Sequence, residues 1–235
     1  DIYDAVYTVL AQYPNNINPN NINIAGWSGG GGNVFMAATK MPDLFRSAQT
    51  FYGIADYAFL AHACDNWMRQ VADSVGQTPE QAPDRYLVRN AIFAASNNRY
   101  SHFQIFWDEQ EELCPPQMNE AYLEQAHKLG LTNVIARKSL ATDEGRWIHG
   151  AEIHGEIAEA MYEPQILREE FPPVRLAPKG SLMIPGFLVT QFFEFCLGSG
   201  ESNVAQLDYS LSDTCYEFTL TPLGTTPCPK AWLRI

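Results

Sequence analysis

Ile2, Ala5, Val6, Val9, Leu10 and Tyr13 recur at three- and four-residue spacing, which predicts an opening helix. Pro14 ends it, and residues 15–21 around Pro19 carry turn chemistry. Ile22 and Ile24 then alternate as a short strand, and Gly26-Trp27-Ser28-Gly29-Gly30 follows at once. After Gly31 and Gly32 a second helical pattern starts over 33–39, with Val34, Phe35, Ala37 and Ala38 for packing. Further strands are predicted over 48–52, 103–107 and 134–140, and a mixed, mostly helical stretch over 56–98. Met118, Ala121, Tyr122, Ala126 and Leu129 form a helical stripe opened by Pro115-Pro116 and closed by Gly130. Ile153, Ile157 and Met161 mark a last helix before Pro164. Strands that alternate with helices predict an α/β layer around a largely parallel sheet.

From residue 171 the texture changes. Pro172-Pro173, Pro178, Gly180 and Pro185-Gly186 punctuate the chain, and 187–197, 204–211 and 216–220 read as strands joined by turns. Tyr216, Phe218 and Leu220 alternate with polar neighbours, as a half-buried antiparallel strand does. The expected organisation is an α/β domain over 1–171 and a small β-rich module over 172–235. That division fits a chain of 235 residues.

Composition narrows the partners. Lys and Arg number 15 against 27 Asp and Glu, a formal net charge of −12. Such a chain lacks the basic face that nucleic acids or anionic membranes require. Residues 182–196, the richest apolar run, are broken by Pro185, Gly186, Gln191 and Glu194, so no span of the bilayer is expected. Apolar residues at 46% supply a sizeable core. The chain starts at Asp1 inside a helical pattern, without Met or a leader, which reads as a processed or trimmed product. Its five cysteines are an odd number, and none has zinc-ligand spacing. Cys215 and Cys228 flank a turn-rich stretch and are candidates for a disulfide. No metal or organic cofactor is expected.

Gly26-Trp27-Ser28-Gly29-Gly30 matches the G-x-S-x-G nucleophile elbow, set as that motif requires between a strand and an apolar helix. A sharp strand-to-helix bend lifts the serine above the sheet, and small flanking residues let strand and helix approach. The Gly29 N–H then points to where an oxyanion forms, aided by the field of the helix N-terminus. A serine nucleophile needs a base. His127 falls mid-helix, His62 in the mixed stretch, and His102 at the start of a strand, the wrong end of a parallel sheet. His149 sits in a loop between a strand and a helix, where the base is expected, and His154 is the near competitor. Trp27 and Trp147 flank the catalytic candidates in sequence and are readable as pocket walls or as packing, Trp27 being the candidate substrate contact.

Residues 106–115, Phe-Trp-Asp-Glu-Gln-Glu-Glu-Leu-Cys-Pro, resemble the H-G-x-x-D-x-x-V-P segment of prolyl-oligopeptidase-type α/β-hydrolases, which carries the triad acid past a sheet strand. Pro83-Asp84-Arg85-Tyr86 with Arg89-Asn90-Ala91, and Gly53-Ile54-Ala55-Asp56-Tyr57, resemble the same family's approach to that strand and its preceding turn. The resemblance covers about residues 1–165. It implies an α/β-hydrolase fold and a Ser28–acid–His149 triad working through an acyl-enzyme. Ungapped alignment puts the acid on Glu111, with Asp108, Asp56 and Glu109 as competitors. Three departures stand out: Glu for Asp, Trp107-Asp108 for His-Gly, and glycine where peptidase members often carry tyrosine in the elbow.

The resemblance also implies strands that precede residue 1 and supply the second oxyanion donor. An upstream segment or a partner chain is therefore expected to cover the open sheet edge. The expected activity is a serine hydrolase acting on a small-molecule or polymer ester in preference to a peptide. Two observations favour the ester: no β-propeller precedes the elbow in this chain, and the tail looks like an accessory module of extracellular esterases. A secreted or extracytoplasmic location is expected on the same ground. The alternative is a catalytically vestigial hydrolase-fold protein with a structural or binding role.

Overall fold

A computed structural model describes residues 2–63, 67–143, 146–149, 175–197, 204–212, 215–223 and 231–234. The first part runs α1 (Ile2–Gln12), β1 (Asn23–Trp27), α2 (Gly29–Lys40), β2 (Ser47–Phe51), α3 (Tyr57–Ala63), α4 (Trp67–Asp73) and α5 (Pro83–Leu87). A 3₁₀ turn (Ala95–Arg99), β3 (His102–Asp108), α6 (Pro116–Lys128) and β4 (Val134–Ser139) complete it. The four strands pair in parallel in the order β1-β2-β3-β4. β2 is buried along its whole length and β3 nearly so, and neither alternates in burial as a one-sided strand does. Phe35 on α2, Phe103 on β3 and Tyr122 on α6 pack together, Phe103 and Tyr122 stacked and Phe35 tilted against both.

Register sets the working edge. Trp27 pairs with Phe51, Phe51 with Phe106, and Asp108 with Ser139. The carboxyl ends of all four strands therefore line one edge, where α/β sheets place their ligands. The first strand is Asn23–Trp27, so it runs directly into the elbow. The stretch expected to be mixed and mostly helical resolves into three short helices and the 3₁₀ turn. The helix expected over 153–161, the boundary near 171 and His154 lie outside the described residues.

Three more strands, β5 (Lys179–Pro185), β6 (Phe187–Val189) and β7 (Glu194–Leu197), are followed by β8 (Val204–Leu211), β9 (Tyr216–Pro222) and β10 (Ala231–Arg234). They form two antiparallel sheets, β5-β8-β9 and β10-β7-β6. The single strand expected over 187–197 is broken in the middle. There Thr190 Oγ1 accepts the N–H groups of Phe192 and Phe193 and donates to the Phe193 carbonyl, a side-chain-closed turn. β5 was hidden by Gly180 and Pro185; it is an edge strand, where proline is tolerated. Cys215 carries a free thiol, so the considered pairing is not made at that end, and Cys228 lies outside the described residues.

Buried polar groups fasten these strands to the α/β layer. The Asn97 amide donates to the carbonyls of Thr39 and Met183, and its oxygen accepts the Met183 N–H. Asp43, buried, accepts the Gln191 N–H at 3.1 and 3.2 Å, while the Gln191 amide donates to the Asp43 carbonyl. Burial pushes the Asp43 carboxyl up to about 6 despite those N–H groups. A raised carboxyl favours the protonated folded state, so the cost of its charge grows as pH climbs from about 4 through about 6. Asp43→Asn keeps the acceptor and removes the charge. Urea denaturation is expected to show it more stable than wild type by about 2 kcal/mol at pH 8 and equal near pH 4.

Candidate active site

Ser28 follows the last residue of β1 and caps α2 with φ 54° and ψ −125°. Left-handed backbone in a non-glycine residue costs about 1–3 kcal/mol and has to be held by its surroundings. Two hydrogen bonds hold it: the Ser28 N–H donates to the Phe51 carbonyl at 2.9 Å, and its own carbonyl accepts the Gly32 N–H at 3.0 Å. The bend also needs a bare Cα at Gly26, where a Cβ would stand 2.5 Å from the Gly30 carbonyl oxygen. The second close approach belongs to Gly31, not to the motif's Gly30. A Cβ at Gly31 would stand 2.7 Å from Thr50 Oγ1 and 2.8 Å from the Gly53 Cα, whereas one at Gly30 meets nothing within 4 Å. Gly29 opens α2, so its N–H is among the first-turn donors that have no intrahelical acceptor. Trp27 is about half exposed, at 47%.

Past the end of β3, Glu111 turns a fully buried carboxylate onto His149. Oε1 lies 2.8 Å from the ring Nδ1, and Oε2 accepts the His149 backbone N–H at 2.7 Å. Oε1 also accepts the N–H groups of Leu113 at 2.8 Å and Cys114 at 3.1 Å. Burial raises the carboxyl pKa, but the hydrogen bonds from the His149 ring and backbone, the pull of the imidazole and the Cys114 N–H outweigh it. Glu111 is held below its ordinary value of 4.5. With Nδ1 engaged, the other ring nitrogen, Nε2, is buried and has no hydrogen-bond partner among the described residues.

Tyr52 packs its ring on the imidazole with centroids 4.2 Å apart. Like Ser28 it has a positive φ without being glycine, here 38°. Tyr52 follows Phe51, whose carbonyl holds the Ser28 N–H, so serine and histidine border the same end of β2. A cavity of about 1050 Å³ opens beside His149, walled by Phe59, Glu112, Leu113, Pro115 and Ile148.

The competing acids have other partners. Asp108 is engaged by Arg146, Asp56 caps α3 through the Ala58 and Phe59 N–H groups, and Glu109 accepts the Ala141 N–H. Among the other histidines, His62 pairs with Glu80, His102 lies beside Gln104 at the start of β3, and His127 is exposed on α6. The structure thus brings Glu111 and His149 together and sets Ser28 at the same sheet edge. The sequence reading passed over Tyr52, Ser139 and Arg146. A Tyr-Gly step at the end of a strand was the available sign of strain at Tyr52; Ser139 and Arg146 carried none.

Residues 1–139 match the family model of the prolyl oligopeptidase family. No curated protein matches the chain. Among solved structures, a Mycobacterium tuberculosis puromycin-hydrolyzing peptidase superposes with a TM-score of 0.56 at 21% identity, over 73% of this chain and 26% of its own. The uncomplexed acylaminoacyl peptidase of Pyrococcus horikoshii gives 0.60 at 17% identity, over 75% and 28%. A putative dipeptidyl aminopeptidase IV from Bacteroides ovatus gives 0.53 at 20% identity, over 69% and 22%. The chain therefore spans about a quarter of the length of these structures, and at such identities the likeness is one of fold. The family match, in contrast, covers more than half of the sequence and takes in every strand of the parallel sheet, so the chain belongs to the prolyl oligopeptidase family of the α/β-hydrolase superfamily.

Proposed function

We propose that this chain carries the catalytic residues of a serine hydrolase. Ser28 is the nucleophile, His149 the base and then the acid, Glu111 the group that orients His149, and Gly29 an oxyanion donor. The carrying observation is the 2.8 Å contact of Glu111 with Nδ1, which leaves the buried Nε2 of His149 available to take a proton. The contact between Nε2 and the Ser28 hydroxyl is expected to close when substrate binds, since catalytic hydrogen bonds often tighten only in the complex.

The steps follow. Ser28 Oγ attacks an acyl carbonyl as its proton passes to Nε2, and the imidazolium is stabilised by Glu111. The Gly29 N–H and the N-terminus of α2 face the oxyanion of the tetrahedral intermediate. Collapse breaks the bond to the leaving group, which takes the proton from Nε2 and departs. The acyl ester on Ser28 is then hydrolysed by water that gives its proton to the same nitrogen. The same sequence serves esters and amides. The family and the solved relatives bear the names of peptidases, so we place a peptide bond ahead of the ester favoured by the sequence reading.

Full-length protein treated with a fluorophosphonate is expected to take up one adduct per chain. Mass spectrometry is expected to map it to Ser28, and a peptide and an ester sharing one acyl group to show turnover of both. A folded protein that takes no adduct would return the argument to the vestigial alternative.

A further inference from the structure

The buried carboxylate of Asp108 and the half-buried Arg146 form a charge pair that the mechanism above does not use. Arg146 Nε donates to Asp108 Oδ2 at 2.8 Å and Nη2 to Oδ1 at 2.5 Å, a two-pronged contact with a carboxylate that has no exposure at all. The Gln110 N–H adds a third donor at 2.8 Å. The fourth is the Ser139 hydroxyl at 2.7 Å, from the residue that faces Asp108 across β3 and β4. Ser139 Oγ in turn accepts the Trp147 N–H at 2.9 Å. Burial alone pushes Asp108 up, but Arg146, the Gln110 N–H and Ser139 bring it down to about 2, so it stays charged.

These contacts converge on the segment that carries the base. Arg146 and the Trp147 N–H tie its near end to the tips of β3 and β4, and the Trp147 ring lies on Phe51 and Phe106 at 5.5 and 4.9 Å. Three residues after Arg146, His149 meets Glu111 through both ring and backbone. Asp108 is thus three residues before the acid, and Arg146 three residues before the base. One side chain of each loop grips the other.

We propose that Asp108 and Arg146, with Ser139 as bridge, are positioning residues that hold the His149 loop so that its imidazole meets Glu111 in the orientation required for proton transfer. The inference rests on the catalytic reading of His149 given above. It also changes the meaning of a departure from the resembled segment. Aspartate stands where the resembled segment has glycine, and here it anchors the base.

The test uses the full-length protein and the variants Arg146→Met, Arg146→Lys and Asp108→Asn. Readouts are the fluorophosphonate labelling rate, kcat and KM, and the downfield proton resonance of the His149 Nδ1–H in NMR spectra. Arg146→Met is expected to lower kcat about 100-fold with KM nearly unchanged, because a displacement near 1 Å has that effect. Its Nδ1–H resonance is expected to broaden or vanish although Glu111 is intact. Arg146→Lys keeps the charge but loses the fork, and is expected to recover about a tenth of the wild-type kcat. A folded Arg146→Met protein that labels at the wild-type rate and keeps the resonance overturns the proposal. If Arg146→Met does not fold, Arg146→Lys decides, and full activity in it overturns the proposal equally. If the wild type itself takes no label, the catalytic reading fails, while the resonance in the variants still decides whether the pair positions His149.

Discussion

His149→Ala in the full-length protein is expected to lower kcat by about 10⁶-fold, and Glu111→Ala by about 10⁴-fold. The double variant is expected to be no worse than His149→Ala alone. Once the base is gone an orienting carboxylate has nothing to orient, and groups that act as a unit do not add. The smaller loss at Glu111 follows from its role. Without it the imidazole keeps its chemistry but loses the contact that selects the Nδ1–H tautomer and stabilises the imidazolium.

Glu111 has a second task, which separates its two effects. Its oxygens accept the backbone N–H groups of Leu113, Cys114 and His149, and alanine leaves all of them without that acceptor. Glu111→Ala is therefore expected to lose at least about 2 kcal/mol of stability as well. Glu111→Gln keeps an acceptor oxygen and is expected to lose less stability than activity. Because the folded carboxyl is held below 4.5, its contribution is complete above that pH and fades as pH falls through the lower folded value. Steady-state kinetics beside denaturant titrations check both parts. A Glu111→Ala protein that keeps kcat within about tenfold of wild type would remove Glu111 from the mechanism.

The parallel sheet was legible because its strands alternate with helical stretches, of which α1, α2 and α6 are long enough to show their period. The elbow was legible because its glycines stand between two such elements. The acid was not fixed by pattern alone. Asp108, Glu109 and Glu111 are neighbours in one polar loop, and nothing in their order says that Glu109 ends exposed while the other two end buried. What distinguishes the buried pair is a partner 38 residues away: an arginine for one, a histidine for the other. Such partners are set by how β4 delivers residues 146–149 to the tip of β3, which local periodicity does not encode. The same limit hid β5, whose Gly180 and Pro185 read as loop until β8 lay beside it. The preference for an ester came from the texture of the tail and from what precedes the elbow, not from any residue near the serine. It gave way to the family match for that reason.

Gly26→Ala is expected to destabilise the fold by about 3 kcal/mol and to abolish labelling of Ser28, whereas Gly30→Ala is expected to be neutral or stabilising by up to about 1 kcal/mol. The motif treats the two glycines alike; the geometry does not. A Cβ at Gly26 would lie 2.5 Å from the Gly30 carbonyl oxygen and 2.6 Å from its carbon, both backbone atoms in the first turn of α2. No rotamer can relieve that contact, so strand and helix must separate. Ser28 then loses either its bond to the Phe51 carbonyl or its left-handed backbone. At Gly30 an added methyl meets nothing within 4 Å, and in a helix alanine is favoured over glycine. Denaturant titration and fluorophosphonate labelling of both variants make the comparison. Equal losses at the two positions would mean that the bend is not held by the approach of Gly26 to the turn beneath it, and the account of how Ser28 is raised above the sheet would fall with it.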